Sequence, residues 1–117
     1  MKNFKKLIVW QKAMDLTDMV FNLYEELPWQ MAKELKGQST RAAISIPSNI
    51  AEGNSRRSEK DLRRFMEFAL GSAFELETQT LILGRRPWAP KAEVVQVLKS
   101  VEEQQKMLHA FMSQMKV

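Results

Sequence analysis

Residues 58–84, SEKDLRRFMEFALGSAFELETQTLILG, read as one long helix with both ends marked. Ser58 offers an N-cap, and Asp61 three residues on makes a capping-box-like start. Leu62, Phe65, Ala69, Ala73, Leu76 and Leu83 then recur at helical spacing along one face. Gly84 ends the run, and Pro87 and Pro90 mark the turn after it. On the C-terminal side, Val94, Leu98, Val101, Leu108, Met112 and Met115 repeat as a further helix. On the N-terminal side, a segment from Met31 to Glu52 also reads as helical, with Gly53 placed as its C-terminal cap. Before it, Leu7 to Leu27 carries Leu7, Trp10, Met14, Thr17, Phe21 and Tyr24 at three- and four-residue steps, and Pro28 stops it. Nothing alternates with a period of two long enough to be a strand. Four helices with short connections pack most simply as an all-α, antiparallel up-down-up-down four-helix bundle.

The 117 residues fit one domain, residues 1–117, able to bury a modest core unaided. The chain has no cysteine, so it has neither a disulfide framework nor a thiolate metal site. Only Leu7 to Trp10 follow the basic N-terminal residues as an apolar run, and no stretch approaches membrane-spanning length. No membrane association and a cytoplasmic location are therefore expected. A net charge of +4 is compatible with an anionic partner without identifying one.

Two helices carry more apolar surface than a lone bundle needs. Leu16, Met19 and Leu23 lie off the Trp10-Met14-Phe21 stripe, and Leu70, Phe74 and Leu81 make a second stripe beside Phe65-Ala69-Leu76. A surface helix normally has one apolar arc, so the surplus points to self-association or to a wide core face.

Catalytic groups are scarce. His109 is the only histidine, which leaves no convincing Ser-His-Asp arrangement, no Glu-x-x-His pair and no zinc ligand set. No enzymatic activity, cofactor or metal is expected. The second helix nevertheless breaks local rules at Ser45-Ile46-Pro47-Ser48-Asn49-Ile50-Ala51-Glu52-Gly53. Pro47 lies inside it, and Ser45, Asn49 and Glu52 line a side where aliphatics would normally be buried. Glu75 and Glu77, two apart, must point to different sides of the third helix. These residues predict a polar network of Gln38, Arg41, Ser45, Asn49, Glu52 and Glu75 that sets helix alignment. A basic constellation follows at Arg56, Arg57, Lys60, Arg63 and Arg64, interleaved with Glu59 and Asp61. Lys2, Lys5, Lys6 and Lys12 add charge at the N-terminus, and Arg85-Arg86 at the far end of the third helix. Such residues give salt-sensitive, sequence-independent phosphate contacts.

Phe4…Leu7-Ile8-Val9-Trp10-Gln11-Lys12-Ala13, Pro28…Leu35…Gln38…Arg41-Ala42-Ala43-Ile44 through Gly53, and Gly71-Ser72…Glu75-Leu76-Glu77-Thr78-Gln79 carry a wider likeness. Over roughly residues 4 to 83 the chain resembles the four helix bundle proteins encoded in 23S rRNA intervening sequences, a family also labelled ribosomal-protein-like. The resemblance implies an antiparallel bundle assembled as a homopentameric ring, with no enzymatic activity or cofactor. It also implies kinship with accessory proteins of reverse transcriptases in diversity-generating retroelements, whose basic ring surface engages nucleic acid and the polymerase. Two places depart from the family: Thr40-Arg41 stands where two arginines are frequent, and the turn from Gly84 to Pro90 is differently worded. The expected function is RNA or DNA binding by Arg56, Arg57, Lys60, Arg63 and Arg64, supported by Lys5 and Lys6. The rival is a protein-interaction scaffold or reverse-transcriptase accessory subunit with no nucleic-acid specificity of its own.

Overall fold

A computed structural model of the chain describes residues 3–117. A short 3-10 turn, Phe4–Lys6, leads into four helices: α1, Ile8–Glu25; α2, Trp29–Asn54; α3, Glu59–Gly84; and α4, Lys91–Ser113. No strand occurs among the described residues. Each helix packs on the next, and α4 closes back on α1, so the bundle runs up, down, up, down in a body of 45 × 20 × 19 Å. The turn from α2 to α3, the 3-10 turn and the end of α4 therefore share one end of the long axis.

The helix ends follow their sequence signals. The Ser58 hydroxyl accepts a hydrogen bond from the Asp61 amide at 3.1 Å, capping α3, and Glu59 and Asp61 add negative charge to its first turn. Pro28 and Pro90 stand immediately before α2 and α4, where a missing N–H costs nothing. Gly53 departs from expectation. It lies inside the last turn of α2, which continues to Asn54, and no glycine has a positive φ. Its role is proximity: a Cβ there would stand 2.8 Å from Phe65 Cβ. The missing side chain lets α2 and α3 meet just before the turn that joins them.

The core contains Leu16, Ile46, Ile50, Met66, Leu76, Leu83 and Leu108, all fully buried. Burying each such side chain contributes about 1.5–3 kcal/mol before conformational entropy is counted. On α3 the buried face is the one its spacing predicts, with Phe65, Ala69, Ala73, Leu76 and Leu83 inward. On α1 the buried face shifts toward the second stripe, although Tyr24 of the first stays buried and Met19 of the second is half-buried. Val9, Ala13, Leu16, Val20 and Leu23 face the core, whereas Met14 is exposed and Trp10 and Phe21 are half-buried. Ala13 and Ala43 are both fully buried, and their carbonyls share the Thr17 hydroxyl, so small residues stand where α1 and α2 approach. On α4, Leu98 is half-buried, as is Met115 beyond the helix end, and Val97 and Gln104 take core positions instead. Gln104 donates from Nε2 to the Val9 carbonyl at 3.1 Å, tying the last helix to the first.

Candidate nucleic-acid interface

The rule-breaking stretch of α2 ties it to both neighbours. Pro47 has no N–H, so the Ala43 carbonyl one turn earlier lacks its usual donor. Thr17 on α1 serves that carbonyl: its hydroxyl lies 3.2 Å from Ala43 O and 2.8 Å from Ala13 O, one proton shared between two acceptors. On the other flank, Asn49 donates from Nδ2 to the Ser45 hydroxyl at 2.9 Å and to the Ser45 carbonyl at 2.8 Å. The Ser45 hydroxyl in turn bonds the Ser72 hydroxyl of α3 at 2.8 Å. Higher up, Tyr24 of α1 and Ser39 of α2 share a buried hydrogen bond of 3.0 Å.

The predicted polar network is thus partly assembled. Gln38, Arg41, Ser45 and Glu75 line one groove of about 240 Å³ between α2 and α3. Arg41 and Glu75 share it without an ion pair between them. Glu52 points elsewhere, to Arg56 at 2.9 Å. Among the described residues, the side-chain hydrogen bond that crosses from α2 to α3 is Ser45–Ser72, and Asn49 supports Ser45 from within α2. Ser72 is missing from the predicted set; its signal was a hydroxyl beside Ala69, Ala73 and Leu76, on the flank of the core face. Glu75 and Glu77 diverge as their spacing requires. Glu75 is exposed, whereas half-buried Glu77 accepts from Gln105 Nε2 of α4 at 2.9 Å.

The cations gather at the end of the bundle that holds the α2–α3 turn, but they do different work there. Arg63 is a tie: Nη1 donates to the Met112 carbonyl at 3.1 Å and to the Val117 carbonyl at 2.9 Å. A cation on the Met112 carbonyl, in the last turn of α4, also complements that helix's dipole. Arg56 pairs with Glu52 and lies over the Phe65 ring at 4.7 Å, while Arg64 sits 3.8 Å from Asp61 and 5.5 Å from the same ring. Both pairs are exposed and therefore weak, so these guanidiniums keep most of their field for solvent. Arg57 and Lys60 are exposed and, among the described residues, have no acidic partner. Lys5 and Lys6 are exposed in the 3-10 turn, which is fixed by an Asn3 cap and by Gln11 Nε2 donating to the Lys5 carbonyl at 2.9 Å. Phe4 of that turn lies with Pro47, Ser48 and Ala51 along a groove between α1 and α2, which places the two lysines at the same end as Arg56. Lys12 instead pairs with Glu103 at 3.7 Å. Arg85 and Arg86 are exposed at the opposite end, and Lys2 lies outside the described residues.

His109 is exposed on α4. Among the described residues, no group of three or more His, Cys, Asp and Glu side chains is placed to hold a metal ion. No helix among them is long and apolar enough to cross a membrane.

Comparison with known proteins matches the chain to a family model and to solved structures. The family model of the 23S rRNA-intervening sequence protein matches residues 5–110. The crystal structure of a protein of unknown function from the S23 ribosomal protein family of Bacteroides thetaiotaomicron superposes with a TM-score of 0.79. That alignment has 23% sequence identity and covers 94% of this chain and 100% of the other. It establishes a shared fold. No curated protein matches the chain significantly.

Proposed function

Because the chain belongs to the 23S rRNA-intervening sequence protein family, we propose that it is a non-catalytic, self-associating bundle that binds RNA or DNA through its basic end. The observation that carries this reading is the convergence of Arg57, Lys60, Lys5 and Lys6, exposed and free of acidic partners among the described residues, on one end of the molecule. Arg56 and Arg64 reinforce the field, while Arg63 builds the surface by holding the tail of α4. The backbone phosphates of a nucleic acid are the natural ligand for cations that share a surface without a shaped pocket.

Self-association is supported by apolar side chains left on the surface. Phe74 is 48% exposed and Leu81 52% exposed on the outer side of α3, and Met14 and Ile44 flank the groove between α1 and α2. A homopentamer, the assembly that the family resemblance implies, would repeat the basic end five times, and avidity would then raise the affinity of a weak patch. The cytoplasm is the compartment where such a nucleic acid would be met. The same exposed apolar residues favour a second reading, in which the bundle is a scaffold or an accessory subunit of a reverse transcriptase.

Titrating labelled structured RNA and single-stranded oligonucleotides at several salt concentrations separates the two. Engagement of about four phosphates gives a log–log salt slope of roughly −3 to −4. Arg57→Ala with Lys60→Ala should lower affinity and flatten that slope without lowering the melting temperature. Arg63→Ala should instead lower the melting temperature, since it unties α4. No binding at low salt would eliminate the nucleic-acid reading. A monomer by light scattering at micromolar concentration would eliminate the ring.

A further inference from the structure

Phe65 and Phe68 meet edge to face near the start of α3, with ring centroids 5.7 Å apart and planes at 87°. The inner ring is 8% exposed, packed toward Gly53 of α2, with the guanidiniums of Arg56 and Arg64 over it. The outer ring, Phe68, is 51% exposed. On the helix surface Phe68 has Arg64 one turn before it and Gly71 less than one turn after it. A Cβ built at Gly71 meets nothing within 4 Å, so that flank of the ring is open to a flat group. The exposed phenyl is thus continuous with the cations of the α2–α3 turn and unobstructed on its far side.

We propose that Phe68 is a stacking platform for an unpaired nucleobase, so that the strand held at the basic end is single-stranded. The inference rests on the nucleic-acid reading above and specifies its ligand. In a duplex the bases are already stacked on one another and show a protein only edges and phosphates. An unpaired base has a free π-face, which a neighbouring aromatic ring can cover in a sequence-tolerant way. Arg64, about 6 Å along the helix axis from Phe68, supplies charge for the adjoining phosphate. A purely apolar partner would take the Arg56–Glu52 and Arg64–Asp61 pairs out of water and return no polar contact to them. The charge around the ring therefore favours a polyanion with flat apolar faces over an aliphatic protein surface.

Fluorescence anisotropy with a labelled single-stranded oligonucleotide and a blunt-ended duplex of equal length, in the same salt, tests this. Phe68→Ala should weaken binding of the single strand about tenfold, the loss of one base stack, and leave the duplex unchanged. Phe68→Trp should retain the single-strand affinity. Equal affinities for strand and duplex, each shifted alike by Phe68→Ala, would overturn the stacking role while leaving phosphate binding in place. Binding of neither would overturn both. A fall in molecular mass on Phe68→Ala, measured by light scattering, would assign the ring to contact between copies and overturn the proposal.

Discussion

Pro47 takes one hydrogen bond out of α2 and leaves its acceptor, the Ala43 carbonyl, to Thr17 of α1 at 3.2 Å. A bond internal to one helix thereby becomes a bond between two, and it can form only in one axial register. Thr17→Val keeps the shape and removes the donor, so it should cost about 0.5–1.5 kcal/mol of stability in urea unfolding. In the Pro47→Ala background the same change should cost less, because the restored backbone N–H reclaims the carbonyl. Strict additivity in that double-mutant cycle would refute the exchange. Tyr24, the sole tyrosine, offers a second test. Burial raises its phenol above the ordinary value of 10.0, and the hydrogen bond with Ser39 acts in the opposite direction. The folded chain therefore holds this proton more tightly than the unfolded chain. The resulting stability is complete below pH about 10 and is lost as the pH climbs through the folded value. Urea titrations from about pH 8 to about pH 11 should show the decline, and Tyr24→Phe should remove that share of it.

The elements follow from the sequence because their signals are local. Ser58 caps α3, Pro28 and Pro90 precede α2 and α4, and α3 shows its buried face by spacing alone. The faces of α1 are ambiguous in the sequence. It has two apolar arcs, and periodicity counts arcs without saying which one meets the core. The basic cluster was equally visible as composition. The duties within it were not, since Arg63 reaches carbonyls 49 and 54 residues away. Gly53 shows the same limit: a glycine at a helix end reads as a cap, and only the position of Phe65 reveals a close approach. Gly53→Ala should therefore destabilise by about 1–3 kcal/mol through overpacking at the α2–α3 contact. Gly37→Ala, where a Cβ would meet nothing within 4 Å, should stabilise by about 0.5–1 kcal/mol through helix propensity. Thermal melts of the two variants should move in opposite directions. A stable Gly53→Ala protein would remove the steric account.

At the scale of the molecule, the two ends of the 45 Å bundle are chemically unlike. One end gathers Lys5, Lys6, Arg57 and Lys60. The other exposes Trp29 and Met31 beside Arg86 and half-buried Trp88. Its long seams are unlike too. The α2–α3 seam is the most extensive, bridged by Ser45 and Ser72 and closed by Gly53. The α1–α4 seam is the smallest between helices, and Gln104 crosses it with its Nε2 bonded to Val9 and its Oε1 unpartnered. Native-state amide exchange should therefore be graded around the bundle. Protection should be highest where α2 and α3 face each other and lower along α1 and α4, with Gln104→Ala widening the gap. Uniform exchange rates in all four helices would mean that the bundle opens only as a whole. On the graded pattern, the protein breathes by parting its first and last helices like the leaves of a book whose spine is the α2–α3 pair.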